Sequence, residues 1–429
     1  MAIYLGPMLL THKLKSALIL ALVCLGIINI SKLVRSIAIP DVYRKDFFQE
    51  YLLARAVILG LPAYTPLPTL AKQIVGPLDN PTFPHASPYP PPVVILALPF
   101  GVFGYQAATT LWLVMELTCL YITCSLLIHR FFRVDNRMAP ALLALGLFSC
   151  FPVSLELALG QLMLPTLLTL TGGWLALRSQ RDALGGALLG LALAIKFIGW
   201  PLILFLLCRK HWRAVFSASA MFLITNLAGA AIVGINQTTY YYRYVGPAAS
   251  RLYRSEFLNF STWAAGYRIL AGTSANILAG LNAQPLVNWP ALAPYMSLLI
   301  TVAVLCLALL LARTSSDFDS GCAVLICASA VVNPIAWHHY LVLLVIPAAI
   351  TFKALARNSF PRGFTFAAIL IGTALLLPHL DHLASLMAVG NPPLVPGPTS
   401  LLAFVPLVAT LGLMVLVWCS SRALSMKKD

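Results

Sequence analysis

Ionisable side chains in unusual places are the first feature of this sequence that suggests chemistry. Asp46 stands directly before residues 47–58, in which apolar side chains recur at helical spacing, and Glu50 follows one turn later. Lys196 lies within an apolar segment, where a charge is costly and usually functional. A carboxylate can act as a general base and an ammonium can hold an anion. The structural alternatives are an N-capping aspartate and a lysine that reaches the membrane interface.

Three further polar clusters lie at predicted outer ends of apolar helices or in the second external loop. Their amide, hydroxyl, guanidinium and imidazole groups can make hydrogen bonds at a site, but anchoring and packing at a membrane interface explain them as well. Adjacent histidines fit a metal site poorly, because helical ligand pairs prefer i, i+4 spacing. The clusters contain Glu156, Gly160 and Gln161; Arg251, Arg254, Asn259 and Ser261; and Trp337, His338 and His339.

The composition decides what kind of protein must position these residues. The chain has 429 residues, of which 60% are hydrophobic and 10% charged, whereas soluble domains carry about 25% charged residues. This excludes a secreted or cytosolic enzyme and indicates a polytopic α-helical membrane protein. The net charge of +15 resides mainly in short breaks between apolar runs, as the positive-inside rule expects, so no nucleic-acid partner is predicted. The nine cysteines lie in or beside apolar runs without a CxxC motif, so no disulfide framework or zinc site is predicted.

Apolar segments of spanning length predict roughly ten to twelve membrane spans in one integral membrane domain, 1–429, beginning with a retained helix at about 16–34. Two long polar loops, 35–90 and 236–292, are predicted to lie outside the cell membrane. Segment 184–207 contains glycine and proline next to Lys196, so we expect two short pieces there. Broken helices at membrane depth are tolerated where they line protein or a wet cavity.

The first external loop is predicted to contain a short interfacial helix. Its pattern runs from Asp46 to the breakers Gly60 and Pro62, and it is too polar to span and too apolar to be free in water. We expect this helix to lie along the outer membrane surface, with Asp46 at the lipid–water boundary.

Taken in order, the motifs resemble a known family. The set comprises Asp46-Phe47 with Tyr51, Ala54, Gly60 and Tyr64-x-Pro66; Tyr89-x-Pro91-Pro92; Gly160-Gln161; Gly186-x-x-x-Gly190 with Lys196; Asn259-x-Ser261; and Asn333-Pro334-x-x-Trp337-His338-His339. This set is similar to glycosyltransferase family 87, which includes polyprenol-phosphate-mannose-dependent mannosyltransferases and related arabinofuranosyltransferases. The resemblance implies a GT-C-like bundle of membrane helices with an external site open to lipid.

The resemblance also implies roles for the residues. An inverting transfer from a polyprenyl-phosphate sugar needs one carboxylate to take the acceptor proton, because the phosphate leaves without protonation. Asp46 fits that base, with Glu50 as the alternative, and no metal or cofactor is required. His338 and His339 are the other catalytic candidates, on the phosphate side. The predicted substrate-binding residues are Glu50, Tyr51, Tyr89, Gln161, Lys196, Arg251, Arg254, Asn259, Ser261 and Trp337.

The expected substrates are a lipid-linked hexose or pentose, mannose first, and a lipid or glycan acceptor of the cell envelope. The site is expected on the periplasmic side of the inner membrane, in contact with membrane lipids. The alternative hypothesis is a multi-pass transporter or flippase of a lipid-linked substrate, which the broken segments and Lys196 would also suit.

Overall fold

The computed structural model describes residues 12–39, 41–78, 83–273, 281–357, 360–376, 386–388, 390 and 393–425. Parts of both predicted external loops, 79–82 and 274–280, therefore lie outside the described residues. Helices make up most of what is described, and the strands found there are β1 (Asn282–Ala283) and β2 (Leu394–Val395), which pair in parallel. The predicted all-α class is confirmed.

The helices follow one another closely. In chain order they are α1 (His12–Ser36), α2 (Phe47–Ile58), α3 (Leu67–Ile74), α4 (Val93–Gly101), α5 (Tyr105–Ser125), α6 (Ala139–Phe148), α7 (Phe151–Leu159), α8 (Met163–Arg178), α9 (Asp182–Ile195), α10 (Trp200–Cys208), α11 (Trp212–Val233), α12 (Ile235–Tyr240), α13 (Gly246–Arg254), α14 (Thr262–Leu270), α15 (Ala293–Thr314), α16 (Phe318–Val331), α17 (Val345–Arg357), α18 (Arg362–Leu376), α19 (Gly397–Ser400) and α20 (Val405–Ser425). Short 3₁₀ or π-helical turns lie at Asp41–Arg44, Leu126–Phe132, Tyr241–Val245, Pro290–Leu292, His338–Leu344 and Leu401–Phe404.

The chain forms two compact units. The first, here called the N-terminal unit, consists of Ser16–Phe197 and Trp212–Ala249. The second, the C-terminal unit, contains Ile198–His211 and Ser250–Asp429, together with the first fifteen residues. Each unit is described below by itself.

Within the described chain, five helical stretches are long and apolar enough to cross a membrane, and α6 with α7 forms a sixth if this pair, bent by 82°, is one span. The protein is therefore a polytopic membrane protein, as predicted. The sequence predicts ten to twelve spans, whereas the described chain has five or six helical stretches of spanning length. The numbers differ because several of the apolar runs are divided into shorter helices. In 184–207, for example, α9 ends at Ile195 and α10 begins at Trp200, which confirms the predicted break. The five stretches are Tyr105–Phe132, Trp212–Val233, Pro290–Thr314, His338–Ala356 and Gly397–Arg422.

The helix predicted in the first external loop is present, and protein covers most of it. It begins after Asp46 and ends at Ile58, yet nine of its 12 residues are buried. Aromatic rings enclose it, since Phe47 stacks on Trp112 at 4.4 Å and Phe48 contacts Tyr105 at 4.7 Å. The helix is thus largely enclosed by protein, because large apolar residues occupy more than one of its faces. Its position along the outer membrane surface stays a prediction.

The glycines of α9 permit an unusually close approach of α11. A Cβ atom on Gly186 would lie 2.1 Å from the carbonyl oxygen of Ala214, and one on Gly190 would lie 2.2 Å from that of Ala218. Small residues at this spacing let two membrane helices pack backbone to backbone. The close packing fixes α9, and Lys196 follows directly at its C-terminal end.

Candidate active site

Asp46 does not act as an ordinary N-cap. The residue precedes α2, but its side chain makes no capping hydrogen bond. Its Oδ2 atom instead accepts a hydrogen bond of 2.6 Å from Nε2 of Gln161, and Oδ1 accepts a longer one of 3.4 Å from Nε2 of Gln49. A role of Asp46 as the N-cap of α2 is therefore excluded. Its carboxylate belongs instead to a network of polar side chains.

The network fixes the orientation of the Gln161 amide. Its Oε1 atom accepts one hydrogen bond from Nζ of Lys196 at 3.0 Å and another from the hydroxyl of Tyr89 at 2.9 Å. A lysine ammonium can only donate, so the oxygen of the amide must face Lys196 and its NH₂ group must face Asp46. A neutral amide thus links the ammonium to the carboxylate.

A tight turn between α7 and α8 presents Gln161. Gly160 has a φ of +69°, and a Cβ atom there would lie 2.9 Å from the Cβ of Phe47. Nε1 of Trp112 donates to the Gly160 carbonyl oxygen at 3.0 Å. Both the left-handed backbone and the lack of space require glycine, which explains why a glycine directly precedes Gln161.

Burial perturbs the two carboxyl groups at the start of α2. It raises the pKa of Asp46 above the ordinary 3.8, against the Gln161 hydrogen bond and the charge of Lys196. Glu50 is fully buried, and neither of its oxygens has a hydrogen-bond partner in the described chain. Burial raises its pKa well above 4.5, and the nearby charge of Asp46 raises it further. Asp46, unlike Glu50, accepts hydrogen bonds from side-chain donors, which favour its ionised form.

Lys45 is a site residue that sequence reasoning missed. Its side chain is 3% exposed, and Nζ donates to the carbonyl oxygen of Leu157 at 3.1 Å and to Oγ of Ser36 at 3.3 Å. Burial lowers its pKa to about 8, against the charges of Glu116 and Asp46. The one indication in the sequence that Lys45 could belong to the site was its position next to Asp46. A lysine side chain in a loop, however, usually faces water.

The N-terminal unit also contains two fully buried glutamates for which the sequence predicted no role. Both oxygens of Glu116, in α5, have no hydrogen-bond partner in the described chain. Glu156, in α7, accepts hydrogen bonds from the backbone N–H groups of Met163 and Leu164. A glutamate within an apolar span is costly and usually functional, so Glu116 carried a signal that the sequence analysis did not use.

Tyr51 lies apart from the hydrogen-bonded network around Asp46. Its hydroxyl donates to the carbonyl oxygen of Phe103 at 3.0 Å, and its ring contacts Tyr105 at 4.9 Å. It therefore helps to hold α2 against the break between α4 and α5. Its predicted stacking on a sugar stays a prediction.

In the C-terminal unit, Asn259 braces two loops. Its Nδ2 donates to the carbonyl oxygens of Tyr253, Arg254 and Pro334 at 2.9–3.1 Å. Its Oδ1 accepts from the backbone N–H groups of Ser261 and Ala336 at 3.0 and 2.9 Å. The side chain is fully buried, and these bonds occupy both ends of the amide. The Asn259 side chain thus holds the segment that leads into the histidine pair.

Ser261 has a related structural task. It caps α14, because its Oγ accepts a hydrogen bond from the N–H of Ala264 at 3.1 Å, and the same hydroxyl donates to the Pro334 carbonyl oxygen at 3.1 Å. For Asn259 and Ser261 alike, substrate binding stays a prediction, and the contacts seen are internal.

The remaining predicted residues of this unit differ in exposure. His338 and His339 are buried, and the ring of His338 packs edge-on against Phe260 at 5.2 Å. Trp337 packs edge-on against Tyr253 at 5.9 Å. The Arg254 guanidinium lies 5.5 Å from the centre of the Trp263 ring, and Arg251 is exposed.

The predicted site residues thus fall into two groups, one in each unit. In the described part of the chain, no group of three or more His, Cys, Asp or Glu side chains could hold a metal ion. The N-terminal unit holds Asp46, Glu50, Tyr51, Tyr89, Gln161 and Lys196, and the C-terminal unit holds Arg251, Arg254, Asn259, Ser261, Trp337, His338 and His339.

Comparisons with known proteins agree with the motifs. Residues 88–334, more than half of the chain, match the family model of glycosyltransferase family 87. Two curated relatives, both alpha-(1->3)-arabinofuranosyltransferases of Mycobacterium tuberculosis, from strains CDC 1551 / Oshkosh and ATCC 25618 / H37Rv, are 30% identical over 151 residues. Each match covers 34% of this chain and 34% of the relative, about a third of its length. No solved structure matches the chain.

Proposed function

The chain belongs to glycosyltransferase family 87, and from this premise we propose that it is an inverting glycosyltransferase that uses a lipid-linked sugar phosphate. The observation that supports this most directly is the Asp46 carboxylate, which is hydrogen-bonded to Gln161 and not used as a helix cap. The proposal makes Asp46 the general base for the acceptor hydroxyl.

One carboxylate is sufficient for this reaction. The bond from the sugar to a phosphate oxygen breaks without protonation, because a phosphate is a stable anionic leaving group. The new bond forms between the anomeric carbon and the acceptor oxygen, whose proton passes to the base. Asp46 can receive it at Oδ1, since Oδ2 is held by the 2.6 Å bond from Gln161 while Oδ1 has only a 3.4 Å contact.

The departing phosphate requires cations, which hydrogen-bond strongly to phosphate oxygens. Lys196 is the proposed cation of the N-terminal unit. For the C-terminal unit, taken by itself, we propose an anion-binding role for Arg251, Arg254, His338 and His339. Asn259 supports the last two by holding the loop at Ala336, so its proposed role is indirect.

The sugar is proposed to be a pentose or a hexose. The curated relatives are named for arabinofuranose transfer, and the sequence motifs suggested mannose, so both donors belong in the first assay. The acceptor is proposed to be a lipid or glycan of the cell envelope, and the site is proposed to face the outer side of the inner membrane.

The test is sugar transfer by the purified full-length protein in lipid nanodiscs. Labelled polyprenyl-phosphate arabinofuranose and polyprenyl-phosphate mannose are supplied with a panel of lipid and short glycan acceptors. We expect transfer from one donor, with inversion at the anomeric carbon, and at least a ~100-fold loss in Asp46→Asn. Asp41→Asn is the matched control, because Asp41 is 50% exposed and pairs with Arg44.

Each outcome has a clear meaning. Transfer from neither donor by the wild-type protein would overturn the proposed donor class. Equal rates for wild type and Asp46→Asn would overturn the role of Asp46 and move the base to Glu50. Retention of the donor's anomeric configuration would contradict the single-displacement mechanism.

A further inference from the structure

We propose that Tyr64 and Tyr241 are positioning residues for the proposed base. They act through Tyr89, whose hydroxyl contacts the Gln161 amide that holds Asp46. This inference rests on the proposed function, and it gives a task to two buried tyrosines that the transfer mechanism does not use. All of these residues belong to the N-terminal unit, and hydrogen bonds connect them.

The backbone around Tyr89 has carbonyl oxygens that need donors from elsewhere in the chain. Residues 88–92 read Pro-Tyr-Pro-Pro-Pro, and proline has no backbone N–H. The carbonyl oxygens of residues 90–92 accept from the N–H groups of residues 93–95, in the first turn of α4. Those of Pro88 and Tyr89 precede this turn. A buried carbonyl oxygen without a donor is costly, so each of the two requires a partner.

Two tyrosine hydroxyls supply these partners. The hydroxyl of Tyr241 donates to the carbonyl oxygen of Pro88 at 2.8 Å, and that of Tyr64 donates to the carbonyl oxygen of Tyr89 at 3.0 Å. The rings of Tyr64 and Tyr241 contact each other at 4.9 Å, and their side chains are 2% and 8% exposed. We call this pair the tyrosine clamp. It fixes two consecutive peptide groups, and hence the direction in which the Tyr89 side chain leaves the backbone.

The clamp itself is held by the start of the second predicted external loop. The backbone N–H of Tyr64 donates to Oε1 of Gln237, in α12, at 3.0 Å. On α11, a Cβ atom added to Gly229 would lie 2.6 Å from the carbonyl carbon of Pro91. This helix therefore approaches the proline-rich segment more closely than any larger residue would allow. Residues far apart in the chain thus fix the position of Tyr89.

The consequence lies at Gln161. The Tyr89 hydroxyl donates to Oε1 of Gln161 at 2.9 Å, and Nε2 of the same amide donates to Asp46 at 2.6 Å. A donor at the amide oxygen keeps the NH₂ group turned toward the carboxylate. Lys196 shares this task through its own bond to Oε1. If the Tyr89 hydroxyl moves away, the orientation depends on Lys196, and Asp46 is held less firmly.

Removal of the clamp hydroxyls tests this role. Tyr64→Phe and Tyr241→Phe keep the rings but leave the two carbonyl oxygens without their donors. We expect each variant to lower kcat by about 3- to 10-fold, the effect of one lost hydrogen bond, with KM for the donor unchanged. Tyr242→Phe is the matched control, because the Tyr242 hydroxyl donates to Oδ1 of Asn226 at 2.5 Å and not to the proline-rich segment. Its kcat should equal that of the wild type.

A double-mutant cycle distinguishes positioning from a purely structural role. Tyr89→Phe removes the hydroxyl through which the clamp acts. In this background, Tyr241→Phe should still lower Tm, because the Pro88 carbonyl oxygen loses its donor, but it should cause no further loss of kcat. An equal loss of kcat with and without the Tyr89 hydroxyl would overturn the inference. So would a wild-type kcat in both clamp variants.

A readout independent of transfer distinguishes failure of this inference from failure of the proposed function. The full-length protein in nanodiscs carries 3-fluorotyrosine at position 89, and its ¹⁹F resonance is recorded. We expect the resonance to shift or split in Tyr64→Phe and Tyr241→Phe and to stay in place in Tyr242→Phe. That pattern supports the clamp even if no donor is consumed. An unchanged resonance in the clamp variants overturns the inference whether or not sugar is transferred.

Discussion

Asp46 and Lys196 are joined through opposite ends of one amide, that of Gln161. The carboxylate accepts at 2.6 Å from the amide nitrogen, and the ammonium donates at 3.0 Å to the amide oxygen. Because the amide lies between them, Lys196 is linked to the carboxylate proposed as the base without a charged hydrogen bond to it. This arrangement leads directly to a prediction about pH.

Transfer should increase with pH through the pKa of Asp46, because only the ionised carboxylate accepts a proton. Burial raises that pKa above 3.8, so the acid limb of kcat/KM should lie above this pH. Lys45→Met removes a cation that favours the ionised carboxylate, so the limb should move to higher pH. Above about pH 8, where Lys45 itself loses its proton, the variant and the wild type should converge.

Profiles of kcat/KM against pH for both proteins check this expectation. Lys72→Met is the control, since Lys72 is exposed on α3. A limb that stays in place, or moves to lower pH, would show that Lys45 does not act on the base.

Gly160→Ala should destabilise the protein more than Gly60→Ala. Both glycines have a φ of +69°, but a Cβ atom on Gly160 would lie 2.9 Å from the Cβ of Phe47, whereas none lies within 4 Å on Gly60. Backbone strain of about 1 kcal/mol is common to both, and the clash adds about 1–3 kcal/mol at Gly160 alone. Thermal unfolding in detergent measures the difference, and equal Tm values would contradict it.

The contact between α9 and α11 gives a second matched pair. Gly186→Ala places a methyl group 2.1 Å from the Ala214 carbonyl oxygen, so the helices must separate, at a cost of about 2 kcal/mol. Gly146→Ala, in α6, meets no atom within 4 Å and should stabilise its helix by about 0.5–1 kcal/mol. The two substitutions should therefore shift Tm in opposite directions. Shifts of the same sign would show that the close contact does not exist in the membrane protein.

Asn259→Ala should lower the free energy of unfolding by about 2–4 kcal/mol, because buried backbone groups of two loops lose their partners. Asn236→Ala, at an exposed position of α12, should change it by less than about 0.5 kcal/mol. Tm in detergent compares the two variants with the wild type. If Asn259 served only to bind substrate, its substitution would raise KM and leave Tm unchanged.

Local patterns predicted part of this structure well. The helix after Asp46 ends at Ile58, just before the breakers Gly60 and Pro62, because the signals for its ends are local. Its burial was not predictable from the same residues, since the rings that cover it come from α4 and α5. Asn259 shows the same limit, because its partner Pro334 lies 75 residues away and spacing does not reveal whether a polar group is already satisfied.

The distance along the chain between Asp46 and its partners sets an order of assembly. Asp46, the proposed base, is 115 residues from Gln161, and Gln161 is 35 residues from Lys196. The ribosome makes Asp46 first and Lys196 last, so the hydrogen-bonded network is incomplete in every early segment of the nascent chain. A chain that stops before α9 is complete would carry Asp46 without the partners that orient it. The network around Asp46 is thus complete only after the N-terminal unit has been synthesised as far as Lys196.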